Sequence, residues 1–222
     1  MADPERTARA RIRDAALARF AEHGFARTHL KDIAADAGVT TPLITHHFGS
    51  KDALRAECDR HVAALIREQK SAGVGRDPDA GLLQQMRAVY AATPIMAYLA
   101  RTLSDSSPHV DELVDLIVED AVDYTEAAVA DGIIRPSERL REQVIAVTIW
   151  QLGAMALHQH VTRLSGVDLL GTDPQSLARW SSLISEILAV GMIEPDYYAK
   201  LRPALESATT PHQTDPDTGG TP

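Results

Sequence analysis

Residues 28–51 read THLKDIAADAGVTTPLITHHFGSK. Leu30, Ile33, Ala34 and Ala37 fall at i, i+3, i+4 and i+7, the spacing of a single helix face. Thr28 is placed to cap that helix, and Gly38 to stop it, because glycine enters the left-handed region without a Cβ clash. The helix expected over 28–37 is too short to serve as a core element alone. Val39 then supplies an apolar plug, and a second short helix over 41–48 opens on Thr41-Pro42 with Ile44 and Phe48 turned inward. Two short helices joined through a glycine turn, with an apolar residue wedged between them, form a helix-turn-helix. Thr40, Thr41, Pro42, Leu43, Thr45, His46 and His47 are left on the other faces of the second helix, so that helix presents polar groups outward.

The rest of the chain reads as helix too. Alanine, leucine, arginine and glutamate are abundant, while three Phe, five Tyr and few alternating β-branched runs argue against a large sheet. The fold class is all-α. A cap-type residue precedes proline at Thr41-Pro42, Asp77-Pro78, Thr93-Pro94, Ser107-Pro108 and Asp173-Pro174, and Ser50 and Ser137 are further helix starts. These divide the chain into nine expected helices, over 5–23, 28–37, 41–48, 50–70, 78–92, 94–105, 108–131, 137–165 and 174–192. Ile12, Ala16 and Phe20 stripe the first, which Gly24 ends. Val110, Leu113, Val114, Ile117, Ala121, Tyr124 and Ala128 stripe the seventh, with its acidic residues away from that face. Residues 71–76, SAGVGR, read as a hinge. The expected organisation is a three-helix domain over 1–50, a larger helical domain over 51–206, and a disordered tail over 207–222 that lacks Leu, Ile, Val and Phe.

Composition excludes several classes. The longest apolar run, 144–157, is short for a bilayer and contains Thr and Gln, so no membrane association is expected. The single cysteine, Cys58, forbids an intrachain disulfide and a cysteine-based zinc cluster, and fits a reducing cytoplasm. The net charge of -9 is unevenly distributed. Residues 1–70 carry 12 Lys and Arg against 10 Asp and Glu; residues 71–222 carry 10 against 21. Arg6, Arg9, Arg11 and Arg13 crowd one end of the basic part, an arrangement that suits phosphates or a solvated helix face equally. There is no Ser-His-Asp order, glycine-rich phosphate loop or H-E-x-x-H, so no catalytic residue, metal ligand or cofactor is assigned. His46 and His47 are neighbours on a helix and diverge by about 100 degrees, too far to share one ion.

The order T-x-x-x-D-I-A-x-x-A-G-V-[ST]-x-x-x-[IL]-x-x-H-F-x-[ST]-K-x-x-L, carried by Thr28, Asp32, Ile33, Ala34, Ala37, Gly38, Val39, Thr40, His47, Phe48, Ser50, Lys51 and Leu54, resembles the DNA-binding signature of the TetR family of transcriptional regulators. Ala15, Phe20, Gly24 and Phe25 are similar to that family's first helix. The resemblance covers residues 6 to about 60 at the level of motif, and it implies a double-stranded DNA operator as partner. By it, Thr28 at an exposed helix N-terminus, Lys51 and His47 would hold phosphates. Thr40, Thr41, Pro42, Leu43, Thr45 and His46 would face the major groove, where hydroxyls serve donor or acceptor positions and apolar groups meet a thymine methyl. One of Thr40 and Thr41 is also expected to act as a plain helix cap. Where the family often has tyrosine three residues before Phe48, this chain has Thr45, so contact there is shorter or water-mediated.

The eighth and ninth expected helices carry more apolar surface than one core needs. Ile149, Leu152, Ala156, Leu183, Ile187 and Val190 are expected to pack against a two-fold copy, giving a homodimer. The resemblance places a small-molecule effector among the fifth to eighth helices, where Tyr90, Met96, Leu99, Leu103, Tyr124, Trp150, Gln151 and Met155 are the candidate ligand-binding residues for a hydrophobic compound. Ordinary core packing accounts for each of these residues as well. The reading is a ligand-responsive repressor in the cytoplasm. A helical enzyme or metal-binding protein, or an interaction module without DNA binding, stands as the alternative.

Overall fold

The computed structural model describes residues 8–73, 94–105, 108–171 and 173–209. Among these there is no strand, and ten helical segments follow one another. They are α1 (Ala8–His23), α2 (Leu30–Ala37), α3 (Thr41–Phe48), α4 (Lys51–Gly73), α5 (94–103), α6 (Pro108–Ala130), α7 (Leu140–Ala156), α8 (His158–Ser165), α9 (Pro174–Ala189) and α10 (Pro195–Thr209). By internal contacts the chain divides into two compact units, Met1–Leu177 and Ala178–Pro222.

In the first unit, α1 to α4 close around one apolar cluster. Ile12, Ala16, Leu17 and Phe20 come from α1, Ile33, Ala34 and Ala37 from α2, Ile44 from α3, and Leu54, Cys58 and Val62 from α4. Ile12, Ile33 and Leu54 are fully buried, and burial of side chains of this size stabilises by about 1.5–3 kcal/mol each. Tyr98 of α5 belongs to the same cluster. A boundary at residue 50 therefore does not separate two cores, because α4 completes the first. The same helix enters a second cluster through Ala63, which meets Leu99, Leu113, Ile117 and Leu152, and Ile66 packs against both clusters. A third cluster joins Ala121 and Val122 of α6 to Val144 of α7. The buried side chains of α6 follow the expected stripe at Leu113, Ile117, Ala121 and Ala128.

Several boundaries differ from expectation. Thr28 is buried rather than capping, so α2 begins at Leu30 with His29 at the cap position. Ser137 sits in a turn, its hydroxyl accepting from the Arg139 amide at 3.1 Å, and α7 begins only at Leu140. The single helix expected over 137–165 breaks at Leu157, whose carbonyl accepts from both His160 and Val161, a tightened turn that re-aims the chain into α8. No proline or glycine marks that break. In the second unit, α9 stops at Ala189 ahead of Gly191, which has φ +84. A tenth helix then opens on Pro195, so the helix count of nine and the tail boundary at 207 give way to a helix running to Thr209. Leu183, Leu188, Val190, Met192, Ile193, Tyr197, Tyr198 and Leu201 of this unit are exposed. The hinge at 71–76 beyond Gly73, the helix at 78–92 and the tail beyond Thr209 lie outside the described residues.

Candidate nucleic-acid interface

The turn between α2 and α3 is built as the glycine predicts. Gly38 has φ 63 and ψ 41, and the amides of Gly38 and Val39 return to the carbonyls of Ala35 at 3.2 Å and Ala34 at 2.9 Å. A Cβ there would meet only Arg11 Nη1 at 3.8 Å, so backbone conformation, not crowding, demands glycine. Val39 then packs on the first cluster, and Ile44, 1% exposed, fixes which face of α3 is turned inward. With that face committed, Pro42, Thr45 and His46 are exposed, Thr41, Leu43 and His47 half-buried, and Thr40 exposed at the helix entry. Thr40 has the extended backbone of a cap residue, yet its hydroxyl makes no capping hydrogen bond. Thr45 Oγ1 lies 3.4 Å from the Thr41 carbonyl, a long contact that leaves the hydroxyl readily redirected.

Arg9 of α1 braces the far end of α3. It lies 5.0 Å from the Phe48 ring centroid, donates to the His47 carbonyl at 3.5 Å, and pairs with Glu57 of α4 at 3.2 Å. One guanidinium of α1 thus touches both α3 and α4. Arg19 of α1 grips Asp36 of α2 through two hydrogen bonds of 2.5 and 2.8 Å, and this pairing holds the Asp36 carboxyl below the usual carboxylate range. Ser50 caps α4 as expected, accepting from the Ala53 amide at 3.0 Å.

Two expected phosphate ligands are placed differently. Thr28 is 2% exposed, and its hydroxyl lies 2.9 Å from the Gly24 carbonyl and 3.2 Å from that of Arg19, so it ties the α1–α2 turn from within. It is no open helix terminus. Lys51 Nζ donates to the Phe25 carbonyl at 2.5 Å and lies 4.2 Å from the Phe25 ring centroid; burial pulls its pKa below the usual lysine range. His29, Lys31 and Arg27 are exposed near the start of α2 and were not singled out in the sequence. With Thr28 inward, which only the packed turn reveals, the cap position falls on His29, whose side chain makes no capping bond, and a helix N-terminus of this kind suits an anion. The His46 and His47 ring centroids are 5.6 Å apart, and no group of three or more His, Cys, Asp or Glu suited to a metal occurs among the described residues.

The candidate effector residues do not share one cavity. Leu99 is buried in the second cluster, with Leu103 and Met155 packed against it. Tyr124 packs on the third cluster, and burial raises its pKa. Met96 and Gln151 are half-buried, Trp150 is 44% exposed, and Tyr90 lies outside the described residues. A groove of about 400 Å³ lies instead between α4 and α6, lined by Asp59, Arg60, Glu112, Asp115, Leu116 and Glu119 among others. Of the residues expected between two copies, Ile149, Leu183 and Val190 are exposed and Ala156 and Ile187 half-buried. Leu152 is the correction: it is inside its own chain's second cluster. Among the described residues no helix is long and apolar enough to cross a membrane.

Comparison with known proteins agrees with this architecture. The family described as "Bacterial regulatory proteins, tetR family" matches residues 12–58, and "Tetracyclin repressor-like, C-terminal domain" matches residues 90–193. The HTH-type transcriptional regulatory protein RaaS of Mycobacterium tuberculosis is 37% identical over 150 residues, 67% of this chain and 70% of that protein. The HTH-type transcriptional dual regulator CecR of Shigella flexneri is 28% identical over 184 residues, 79% of this chain and 71% of that protein. A TetR-family transcriptional regulator from Streptomyces coelicolor shares the fold, with a TM-score of 0.58 at 18% identity, covering 92% of this chain and 90% of that one. From the helix-turn-helix head through the helical C-terminal region, the chain belongs to the TetR family of transcriptional regulators.

Proposed function

We propose that the protein is a homodimeric repressor that binds a palindromic operator through α3 and leaves it when a small hydrophobic effector binds. The observation that carries this reading is the outward face of α3. Thr40, Pro42, Thr45 and His46 are exposed there, with Thr41, Leu43 and His47 beside them, on a helix whose opposite face is locked by Ile44. Hydroxyls, an imidazole and apolar groups suit mixed contacts to base edges and thymine methyls. His47 and the exposed His29, Lys31 and Arg27 flank this face as phosphate contacts. Lys51 supports it by holding the α1–α2 turn, and reaches a phosphate only by releasing the Phe25 carbonyl.

The dimer forms through α7 to α9, where Ile149, Leu183 and Val190 offer apolar surface that water does not favour. Two copies present two heads, and half-sites about 34–36 Å apart follow from one helical turn of DNA. The effector site draws on Met96, Leu99, Leu103, Tyr124, Trp150, Gln151, Met155 and Tyr90, and opens by repacking of the second cluster. Because α4 belongs to both clusters, a change in that packing is felt by the head, and a ligand that favours one head spacing weakens DNA binding by the factor that DNA weakens ligand binding. Such a regulator works in the cytoplasm and needs no cofactor.

Retardation of a fragment from its own upstream region, followed through a salt series, tests the reading. Affinity is expected to fall steeply and linearly in log–log form as salt rises. Retardation indifferent to salt, or none at any salt, sinks it and favours an interaction module.

A further inference from the structure

Given the dimer put forward above, we propose that α10 and the residues leading into it form a second contact between copies, a clasp that completes the interface begun by α7 to α9. Met192 and Ile193, ahead of the helix, are 83% and 57% exposed, and Tyr197, Tyr198, Leu201 and Leu205 are exposed along it. Tyr197, Leu201 and Leu205 recur at i, i+4 and i+8 with Tyr198 beside them, so α10 carries these apolar residues on one face. Single apolar residues on a surface are ordinary; a continuous face of large ones marks a contact surface.

The helix itself needs that contact. α10 spans 15 residues, and a helix of about that length is marginal in water by itself. Pro203 weakens it further, because it has no amide to offer the Ala199 carbonyl one turn back. Tyrosine and leucine turned to water add nothing to hold such a helix, whereas covering that face does.

Area points to a second copy as the cover. A standard interface takes about 800 Å² from each partner. The exposed apolar side chains of α7 and α9 supply only about 200–400 Å² per copy, scaled from the area that full burial of such side chains removes. Met192, Ile193 and the apolar face of α10 add about 300–550 Å², which brings the surface to the size a stable dimer needs. Val190, the last exposed apolar residue beyond α9, is joined to Met192 through Gly191 alone, so the added surface continues the one already assigned to the partner copy. Two-fold symmetry lets one surface serve twice, each α10 covering apolar surface of the other copy. α10 begins at Pro195, after the family's C-terminal match ends at residue 193, so the clasp lies outside the part that match covers.

Light scattering of the full-length chain across a dilution series measures the dimer, and hydrogen exchange above and below its dissociation constant measures the cover on α10. Tyr197→Lys with Leu201→Lys removes the apolar face and puts a good helix former at both positions. The double variant should weaken dimerisation at least about tenfold. In the wild type, α10 amides should be protected in the dimer and lose that protection on dilution to monomer. Dimerisation equally tight in both proteins overturns the clasp and leaves the α7 to α9 dimer standing. Exchange of α10 that is the same in dimer and monomer, whether slow or fast, also overturns it, because its own chain or nothing then covers the helix. A wild type that is monomeric at every concentration sinks the dimer itself, and the clasp with it.

Discussion

Replacing Thr28 by valine separates two roles for the same residue, because valine keeps the shape and removes only the hydroxyl. In the structure that hydroxyl is buried and directed at the Gly24 and Arg19 carbonyls, 2.9 and 3.2 Å away. Arg19 lies inside α1, where its carbonyl has a helical partner, whereas Gly24 follows the end of the helix at φ +77 and depends on Thr28. The loss is then one buried hydrogen bond with a carbonyl left short, about 1–2 kcal/mol. For a chain of this size that lowers Tm by roughly 2–8 °C. Scanning calorimetry of Thr28→Val measures it, and operator binding across a salt series, at a temperature where the variant is folded, supplies the second readout. The salt slope should stay at the wild-type value, since no phosphate contact is removed. An unchanged Tm together with a slope reduced by about one would refute the buried role and make Thr28 a phosphate ligand.

Four further substitutions probe the core, a buried pair, the proposed interface and a half-buried imidazole. Ile44→Ala empties a site 1% exposed between α3 and the first cluster, and should cost about 2–5 kcal/mol in chemical unfolding. Tyr98→Phe strands the buried Asp59 carboxylate, already raised in pKa by burial, and should destabilise by about 1–3 kcal/mol. Ile149→Glu with Leu183→Glu should convert the proposed dimer to monomers by light scattering while circular dichroism of the helices persists. His61 is held below the usual imidazole range by burial and by the Arg13 charge. The unfolded chain then takes up the proton first, so this contribution to stability is present above about pH 6.5 and is lost as the pH falls from there toward the folded value. His61→Gln should flatten unfolding free energy over that window.

The head was legible because its signals are local. Leu30, Ile33, Ala34 and Ala37 share one face, Gly38 needs a positive φ, and Ser50 needs only an amide three residues on to cap α4. Thr28 misled because threonine before a helix reads as a cap, and only the packed α1–α2 turn reveals that its hydroxyl points to the preceding carbonyls. Lys51 misled likewise: the sequence shows a lysine at a helix start, but not that the Phe25 carbonyl lies within its reach. In the C-terminal half, apolar residues go nearly all round α7, so periodicity could not say that Leu152 faces its own core while Ile149 faces out. The break at Leu157 carries no proline or glycine, and α10 was overlooked although Pro195 and Asp196 mark its start.

The central claim is that two copies of α3 read DNA together. It is tested most directly by selecting from random-sequence duplexes with the full-length protein and sequencing what is retained, for the wild type and for His46→Ala and Thr41→Ala. The account predicts enrichment of an inverted repeat, with base preference altered at matching positions of both half-sites in the variants. Enrichment of a single unrepeated site, of no sequence at all, or of the same repeat with unchanged preference in both variants would contradict it.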